Sequence, residues 1–252
     1  MNRPILTSEF RILNYTLALV VLASPALAQS AGSGFLFRPP NGAVSIRTGY
    51  DRATAGSDLF AFVTDQLTVN PKDFDAIAIA VDVDYRLTPR VDAVFGVGSS
   101  RTTTKSEFRH WVDNNRQPIE QTTEFQRVPI TAAVKAYLVP PGQSIGHFAW
   151  VPARIAPYVG AGGGVMWYSF QQQGDFIAFD TLKVFTDSFI SNGWAPTVHA
   201  LGGVEVSFAS RLAIRTEARY EWAKAPLGRD FSGFDRIDLS GVSFTSGVVI
   251  RY

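Results

Sequence analysis

The amino-acid sequence predicts an all-β protein. Its fold class is an eight-stranded antiparallel transmembrane β-barrel, an up-and-down meander with an apolar lipid-facing exterior and a polar, charged lumen. Three observations carry that prediction. Eight segments alternate apolar and polar residues with a period of two, the spacing at which successive strand side chains point to opposite faces. The connections between them are short on one side and long on the other. Aromatic residues gather near the segment ends, at the depth where a membrane barrel carries its interfacial rings.

The opening residues predict a leader. Arg3 and Arg11 make a basic start, residues 12–22 are apolar apart from Asn14 and Thr16, and Ala26-Leu27-Ala28 fits a small-x-small cleavage pattern. Residues 1–28 therefore read as a secretory signal peptide, with Gln29 as the new N-terminus. The apolar run is too short for a helical anchor, which needs about 20 residues. Residues 29–42 follow as a short exposed N-terminal segment, and residues 43–252 make the barrel.

Composition narrows the function classes. The chain has 23 Lys and Arg against 22 Asp and Glu, and Arg3, Arg11 and Glu9 leave with the leader. The remainder is balanced, which argues against a nucleic-acid binder. There is no cysteine, so disulfides, thiolate metal sites and cysteine nucleophiles are excluded. The length suits one β domain.

The first predicted strand, 43–52, sets Val44, Ile46, Thr48 and Tyr50 against Ser45, Arg47, Gly49 and Asp51. The second, 75–87, sets Ile77, Ile79, Val81, Val83 and Tyr85 against Ala78, Ala80, Asp82, Asp84 and Arg86. A tight Thr88-Pro89-Arg90 turn follows, where Pro suits a position with fixed φ and no N–H. The third, 91–101, sets Val91, Ala93, Phe95 and Val97 against Asp92, Val94, Gly96 and Gly98. The fourth, 124–138, sets Val128, Ile130, Ala132, Val134, Ala136 and Leu138 against Thr131, Ala133, Lys135 and Tyr137. The fifth, 155–170, is irregular, with glycines from Gly160 to Gly164.

The sixth strand, 194–208, sets Val198, Ala200, Val204, Val206 and Phe208 against Thr197, His199, Leu201 and Glu205. Another tight turn, Ala209-Ser210-Arg211, leads into the seventh, 212–223. There Leu212, Ile214, Thr216, Ala218, Tyr220 and Trp222 oppose Ala213, Arg215, Glu217, Arg219 and Glu221. The eighth runs off the chain end, with Val242, Phe244, Val248, Ile250 and Tyr252 on its apolar face.

Long loops are expected at 53–74, 102–123, 171–193 and 224–237. The first contains a candidate short helix, capped by Ser57 or Asp58, with Leu59, Phe62, Val63 and Leu67 on one stripe that either packs the loop against the rim or forms a lid or ligand-binding element. Residues 139–154 are too long for a turn on the short side. Their three prolines predict an irregular loop.

Alternation alone would also fit a soluble barrel with its apolar face inward. Two features decide for lipid outside: the aromatic residues at strand ends (Tyr50, Tyr85, Trp167, Tyr168, Trp194, Phe208, Tyr220, Trp222 and Tyr252) and the apolar C-terminal strand. The other face holds Arg47, Asp82, Asp84, Arg86, Lys135, Glu205, Arg215, Glu217, Arg219 and Glu221, both signs in near balance. An eight-stranded interior is just wide enough for side chains to fill. These ten residues are therefore candidates for a lumen ion-pair network.

The sequence resembles the small eight-stranded bacterial outer-membrane barrels: the OmpA transmembrane domain, OmpX and OmpW types, and opacity-like surface antigens. The resemblance spans residues from about 43 to 252. It rests on the Pro157-Tyr158-Val159-Gly160-Ala161-Gly162-Gly163-Gly164 stretch, the seventh strand, and Gly247-Val248-Val249-Ile250-Arg251-Tyr252. It implies that Phe244, Val248, Ile250 and Tyr252 form a C-terminal signal read by the barrel assembly machinery. Most such families end in Phe, so Tyr252 is a departure.

Catalytic and metal chemistry find little support. The glycines 160–164 continue a strand and do not open a helix, so they are not a phosphate loop. His110, His147 and His199 show no paired metal spacing. The one nearby nucleophile set is His199, Ser207 and Glu205, but Ser207 lies about 26 Å from His199 along an extended strand at about 3.3 Å per residue. The acid pairs Asp82/Asp84 and Glu217/Glu221 have arginines close by and read as halves of ion pairs.

The reading is a non-enzymatic integral outer-membrane protein without cofactor or metal. Its long surface loops serve a structural or surface-interaction role. Its partners are outer-membrane lipid, the assembly machinery and an external ligand or surface met by the loops, with a monomeric state and no nucleic acid. A narrow conduit for small hydrophobic molecules is one alternative, and a soluble lipocalin-like periplasmic binder is the other.

Overall fold

The alternating segments close into a ring. In the computed structural model, which describes residues 34–113, 116–178, 181 and 183–252, the wall strands are β1 (Gly42–Ala53), β2 (Ala76–Thr88), β3 (Val91–Val112), β4 (Pro118–Tyr137), β7 (Ile155–Ala178), β8 (Lys183–Ser207), β9 (Leu212–Ala225) and β11 (Gly241–Arg251). Each pairs antiparallel with its neighbour, and β1 pairs with β11 to close the sheet. The predicted leader, residues 1–28, lies outside the described residues. No helix among the described residues is long and apolar enough to cross a membrane.

Register places the apolar residues on the outside. Ile46 lies opposite Val248 on one side and Val81 on the other. The row continues through Val97, Ile130 and Val165. On the far side it continues from Val248 to Ile214 and Val206. Ile46, Ile130, Ile214 and Val248 are all exposed, whereas their sequence neighbours Arg47, Thr131, Arg215 and Val249 are buried. A one-residue slip would exchange these faces, so the pattern fixes the register.

Four adjacent strands, β3, β4, β7 and β8, are 20 to 25 residues long, while the other four have 11 to 14. A tilted membrane strand needs about 9 to 11. The wall therefore rises on one side into two tall ribbons. This corrects two predicted loops: residues 102–112 and 118–123, and residues 171–178 and 183–193, are strands. Their Thr, Phe and Val content suits a pleated surface.

The loop between β1 and β2 folds into the space beside these ribbons. It forms helix α1 (Asp58–Gln66) and a 3-10 turn, Pro71–Phe74. Ser57 stands at the N-cap position without a side-chain bond, while the Asp58 carboxylate accepts from the Leu59 N–H at 2.8 Å. Of the predicted stripe, Leu59, Val63 and Leu67 are buried, but Phe62 is exposed. Phe60 takes the inward place, meeting Phe74, Phe125 and Phe170 edge to face at 4.8 to 5.7 Å. With Phe231, Ile237 and Leu239 from the loop after β9, these residues form an apolar plug in the tall end of the barrel. Within that loop the short strand β10 (Ile237–Asp238) pairs with the end of β9.

The opposite end is closed by a different device. Residues 139–154 are not irregular as predicted. They hold a hairpin of β5 (Gly142–Ile145) and β6 (Ala149–Pro152). Leu36 pairs with Trp150 through two backbone hydrogen bonds of 2.8 and 2.7 Å. The segment before β1 is thus not simply exposed: Leu36 and Trp150 are both buried. In the ring, β7 stands opposite β1, so this chain crosses the mouth to reach a hairpin on the far wall.

Candidate functional site: a closed ionic lumen

Inward strand positions bring all ten predicted lumen charges together, in connected groups. Around Glu205, the carboxylate accepts from Lys135 Nζ at 3.3 Å, Tyr137 Oη at 2.9 Å, Arg215 Nη2 at 2.8 Å and Arg251 Nη2 at 3.2 Å. Asp84 faces the same cations, 2.8 Å from Lys135 Nζ and in direct contact with Arg215. Above it, Arg47 bridges Asp82 at 2.6 Å and Glu217 at 3.0 Å. Glu217 also accepts from Tyr158 Oη at 2.8 Å and Arg219 Nη2 at 3.0 Å. Arg219 leads on to Glu221 at 3.9 Å, and Arg86 pairs with Asp92 at the terminal end.

Each group is nearly sealed from water; Arg47, Asp82, Asp84, Lys135, Glu205, Arg215 and Glu217 are all buried. Moving such charges out of water is costly. It is sustained here because every cation has a carboxylate partner and tyrosine hydroxyls fill remaining acceptor positions. Glycines make the room. A Cβ on Gly96 would strike the Asp82 carboxylate, and one on Gly203 would strike the Tyr158 hydroxyl.

The sequence reading missed Asp51, Asp92, Arg127, Arg251, Tyr137 and Tyr158 as members. Asp92, Tyr137 and Arg251 had the right parity on their strands and could have been included by that rule. Arg127 reaches further. Its guanidinium pairs with Asp51 at 2.7 Å and donates to the Leu239 and Ser240 carbonyls, tying the network to the plug. Only the tertiary path of the loop after β9 supplies those carbonyls.

Beside the network, against the wall of β2 and β3, lies a cavity of about 50 Å³. Asp82, Arg219, Glu221, Arg127 and Thr245 contribute to its wall, with Gly98 and Pro129. The β3–β4 ladder is interrupted there, from Val97–Ile130 to Ser100–Arg127, because Pro129 has no N–H to donate. His199 is also an inward, buried residue, opposite Glu221 on β9. Neither of its ring nitrogens has a partner among the described residues. Its own strand carries Ser207 eight positions away, so the His199, Ser207 and Glu205 set does not assemble into a nucleophilic site. No group of three metal-ligating side chains occurs among the described residues.

The aromatic positions divide into two levels. Tyr85, Phe208 and Tyr252 are exposed at the terminal end, and Tyr50, Trp194 and Trp222 are exposed at the other. Trp167 lies opposite Trp194 across β7 and β8, and Tyr220 packs on Trp222 at 4.4 Å. Tyr168 departs from the prediction. It points inward and is buried, and its hydroxyl donates to the Pro226 carbonyl at 2.5 Å. The irregular glycine run had hidden the parity of β7, on which Tyr158, Met166, Tyr168 and Phe170 share the inner face. On β11, Phe244 and Val248 face outward and exposed, and Tyr252, just past its end, is exposed as well.

Comparison with known proteins gives fold likeness at low identity. The chain is similar to Neisserial surface protein A, with 11% identity and a TM-score of 0.45, over 87% of this chain and 98% of that one. It is similar to Ail, the attachment invasion locus protein of Yersinia pestis, with 11% identity and a TM-score of 0.43, over 83% and 99%. For outer membrane protein W of E. coli the values are 15% and 0.37, over 85% and 100%. No protein-family model matches the chain. No curated protein sequence matches it significantly.

Proposed function

We propose that the protein is an integral outer-membrane β-barrel of non-enzymatic function, which presents its tall ribbons and plug at the cell surface in a structural or surface-interaction role. One observation carries this reading: the apolar residues face out in a continuous band between two aromatic levels, while the charges are paired inside. A soluble binding barrel would have the opposite arrangement. Burial of the band in lipid removes from water the exposed side chains that would otherwise favour aggregation, at about 25 cal/mol per Å².

The plug at one end, the ionic groups in the middle and the Leu36–Trp150 bridge at the other end favour a structural part over an axial conduit. The outward Phe244, Val248, Ile250 and Tyr252 fit a C-terminal signal for the assembly machinery. The test is fractionation with flotation in lipid, together with gel migration before and after boiling. The reading expects the chain with the outer membrane and a mobility that changes on heating. Recovery in the soluble periplasm would overturn it.

A further inference from the structure

The tall part of the wall has two margins, and they are treated differently. Pairing of β2 with β3 stops at Ile77–Arg101, and pairing of β8 with β9 stops at Thr197–Ala223. Beyond those points β3 and β8 each have one side without a neighbouring wall strand. On β3 that side is covered by the loop after α1. Thr68 and Glu107 exchange two hydrogen bonds of 2.9 Å, Leu67 bridges Phe108, and Arg109 donates to the Thr64 and Val69 carbonyls.

On β8 the cover stops at Ile190, whose N–H donates to Asp230 Oδ2 at 3.1 Å. Every residue from Lys183 to Ser188 is exposed, and no described segment pairs with that margin. The ladder sets which groups it offers. Ser207 donates its N–H toward the β7 side, to the Arg154 carbonyl, whereas Ile190 donates away from β7. Even-numbered residues of β8 therefore direct their backbone groups to the open side, which presents Val184 and Thr186. The Ser188 N–H is held by its neighbour Asp187 at 2.8 Å. Natural sheets blunt such margins with charged side chains, proline, bulges or a covering loop. This one carries the charges Lys183 and Asp187 but has no proline, bulge or covering loop among the described residues: the β7–β8 register runs without a shift to Lys183.

The charges on this margin are self-complementary. Lys183, Phe185 and Asp187 share one face. In an antiparallel pairing centred on Phe185, Val184 meets Thr186 of a second copy in hydrogen-bonded pairs, and Lys183 meets Asp187 of that copy, twice by symmetry. Direction then restricts where the second copy stands. Copies in one membrane are related by rotation about its normal, which keeps their β8 strands running the same way. Antiparallel pairing requires a copy that faces the first from an opposed membrane.

We propose that the open margin of β8, Lys183–Ser188, docks a second copy of this chain presented on a facing membrane, so that the tall ribbon is a homotypic contact between two surfaces. The proposal rests on the outer-membrane reading above. A single contact of this size is weak. Many copies on two facing surfaces convert it into stable adhesion, because each contact raises the effective concentration for the next.

The test uses the full chain reconstituted in phosphatidylcholine vesicles. Flotation verifies insertion, and protease cleavage from the vesicle exterior verifies outward presentation of the ribbon. Clustering is read by light scattering. Wild-type vesicles are expected to cluster at least several-fold above empty ones. Val184→Pro removes an N–H that points away from β7, so it leaves the ladder intact and should abolish clustering. Lys183→Asp and Asp187→Lys should each abolish it alone, and vesicles of the two variants mixed together should cluster again. Inserted, outward-facing wild-type protein that does not cluster overturns the docking proposal and leaves the membrane reading standing. So does clustering that is indifferent to these variants. Failure to float overturns the membrane reading and, with it, the proposal.

Discussion

Arg215 on β9 grips Glu205 on β8 with two of its nitrogens, Nε at 3.1 Å and Nη2 at 2.8 Å, while the same guanidinium contacts Asp84 from the far wall. One side chain thus ties the two neighbouring strands β8 and β9 to β2 across the ring. Removal of such a partner leaves Glu205 and Asp84 buried with only part of their compensation, from Lys135 and Arg251, which costs more than the pair itself contributes. Arg215→Ala is expected to destabilise the barrel by about 3–5 kcal/mol. The measurement is the urea midpoint in detergent, with Arg219→Ala showing a smaller loss because Arg219 is less deeply buried. An unchanged midpoint for Arg215→Ala would count against a packed ionic lumen.

Ile46 sits midway along β1, between Tyr50 near one end and Gly42 at the other, and its side chain is exposed. Ile46→Arg is expected to cost about 2–4 kcal/mol of stability in vesicles, the cost of a cation at the bilayer mid-plane. Thr103→Arg, also outward but on the tall part of β3, should be near neutral. Equal costs for the two variants would show that the band does not lie in lipid.

Phe60 anchors the plug through three aromatic contacts. Phe60→Ala should lose about 3–5 kcal/mol of packing, as large-to-small changes do in a core. The loss falls on the plug rather than on the ladder below it. Limited proteolysis should cut the segment between β1 and β2 faster than in the parent, while the fraction of protein resistant to denaturation by cold detergent stays the same.

Trp150 holds the bridge across the terminal mouth, buried beneath Arg251 with its ring 5.9 Å from the guanidinium. Trp150→Ala removes this packing, and the two backbone bonds to Leu36 then have little to hold them. Hydrogen exchange should quicken at the amides of residues 36 and 150, with no change in β1 or β11. Exchange that stays slow would show that the bridge is held by other contacts.

The eight strands and their faces were legible because a barrel wall is a local code. Each residue's side depends on parity along its own strand, and Arg215, Glu217 and Arg219 announce their side without reference to any other segment. The code weakened where side chains are small. In β7 the run from Gly160 to Gly164 carries no contrast between faces, so Tyr168 was assigned outward although parity with Tyr158 places it inside.

Strand ends were not legible either. Residues 102–112 and 183–193 mix polar and apolar side chains on both faces, as with Val184, Phe185, Phe189 and Ile190 among Lys183, Thr186, Asp187 and Ser188, which erases the alternation that marks a membrane strand. The bridge from Leu36 to Trp150 joins residues far apart in the chain through backbone groups, which every residue type possesses. Phe60, rather than Phe62, faces the plug because the helix is oriented by Phe74, Phe125 and Phe170, which come from three other segments.

The sequence by itself determined the number of wall strands, their order and the side on which each charge lies, because period-two patterning acts within single strands. The tertiary structure alone decided which charges meet, how both ends of the lumen close and which margin of the tall wall stays open. Those outcomes depend on distances between strands and loops remote in sequence, and local patterning does not encode them.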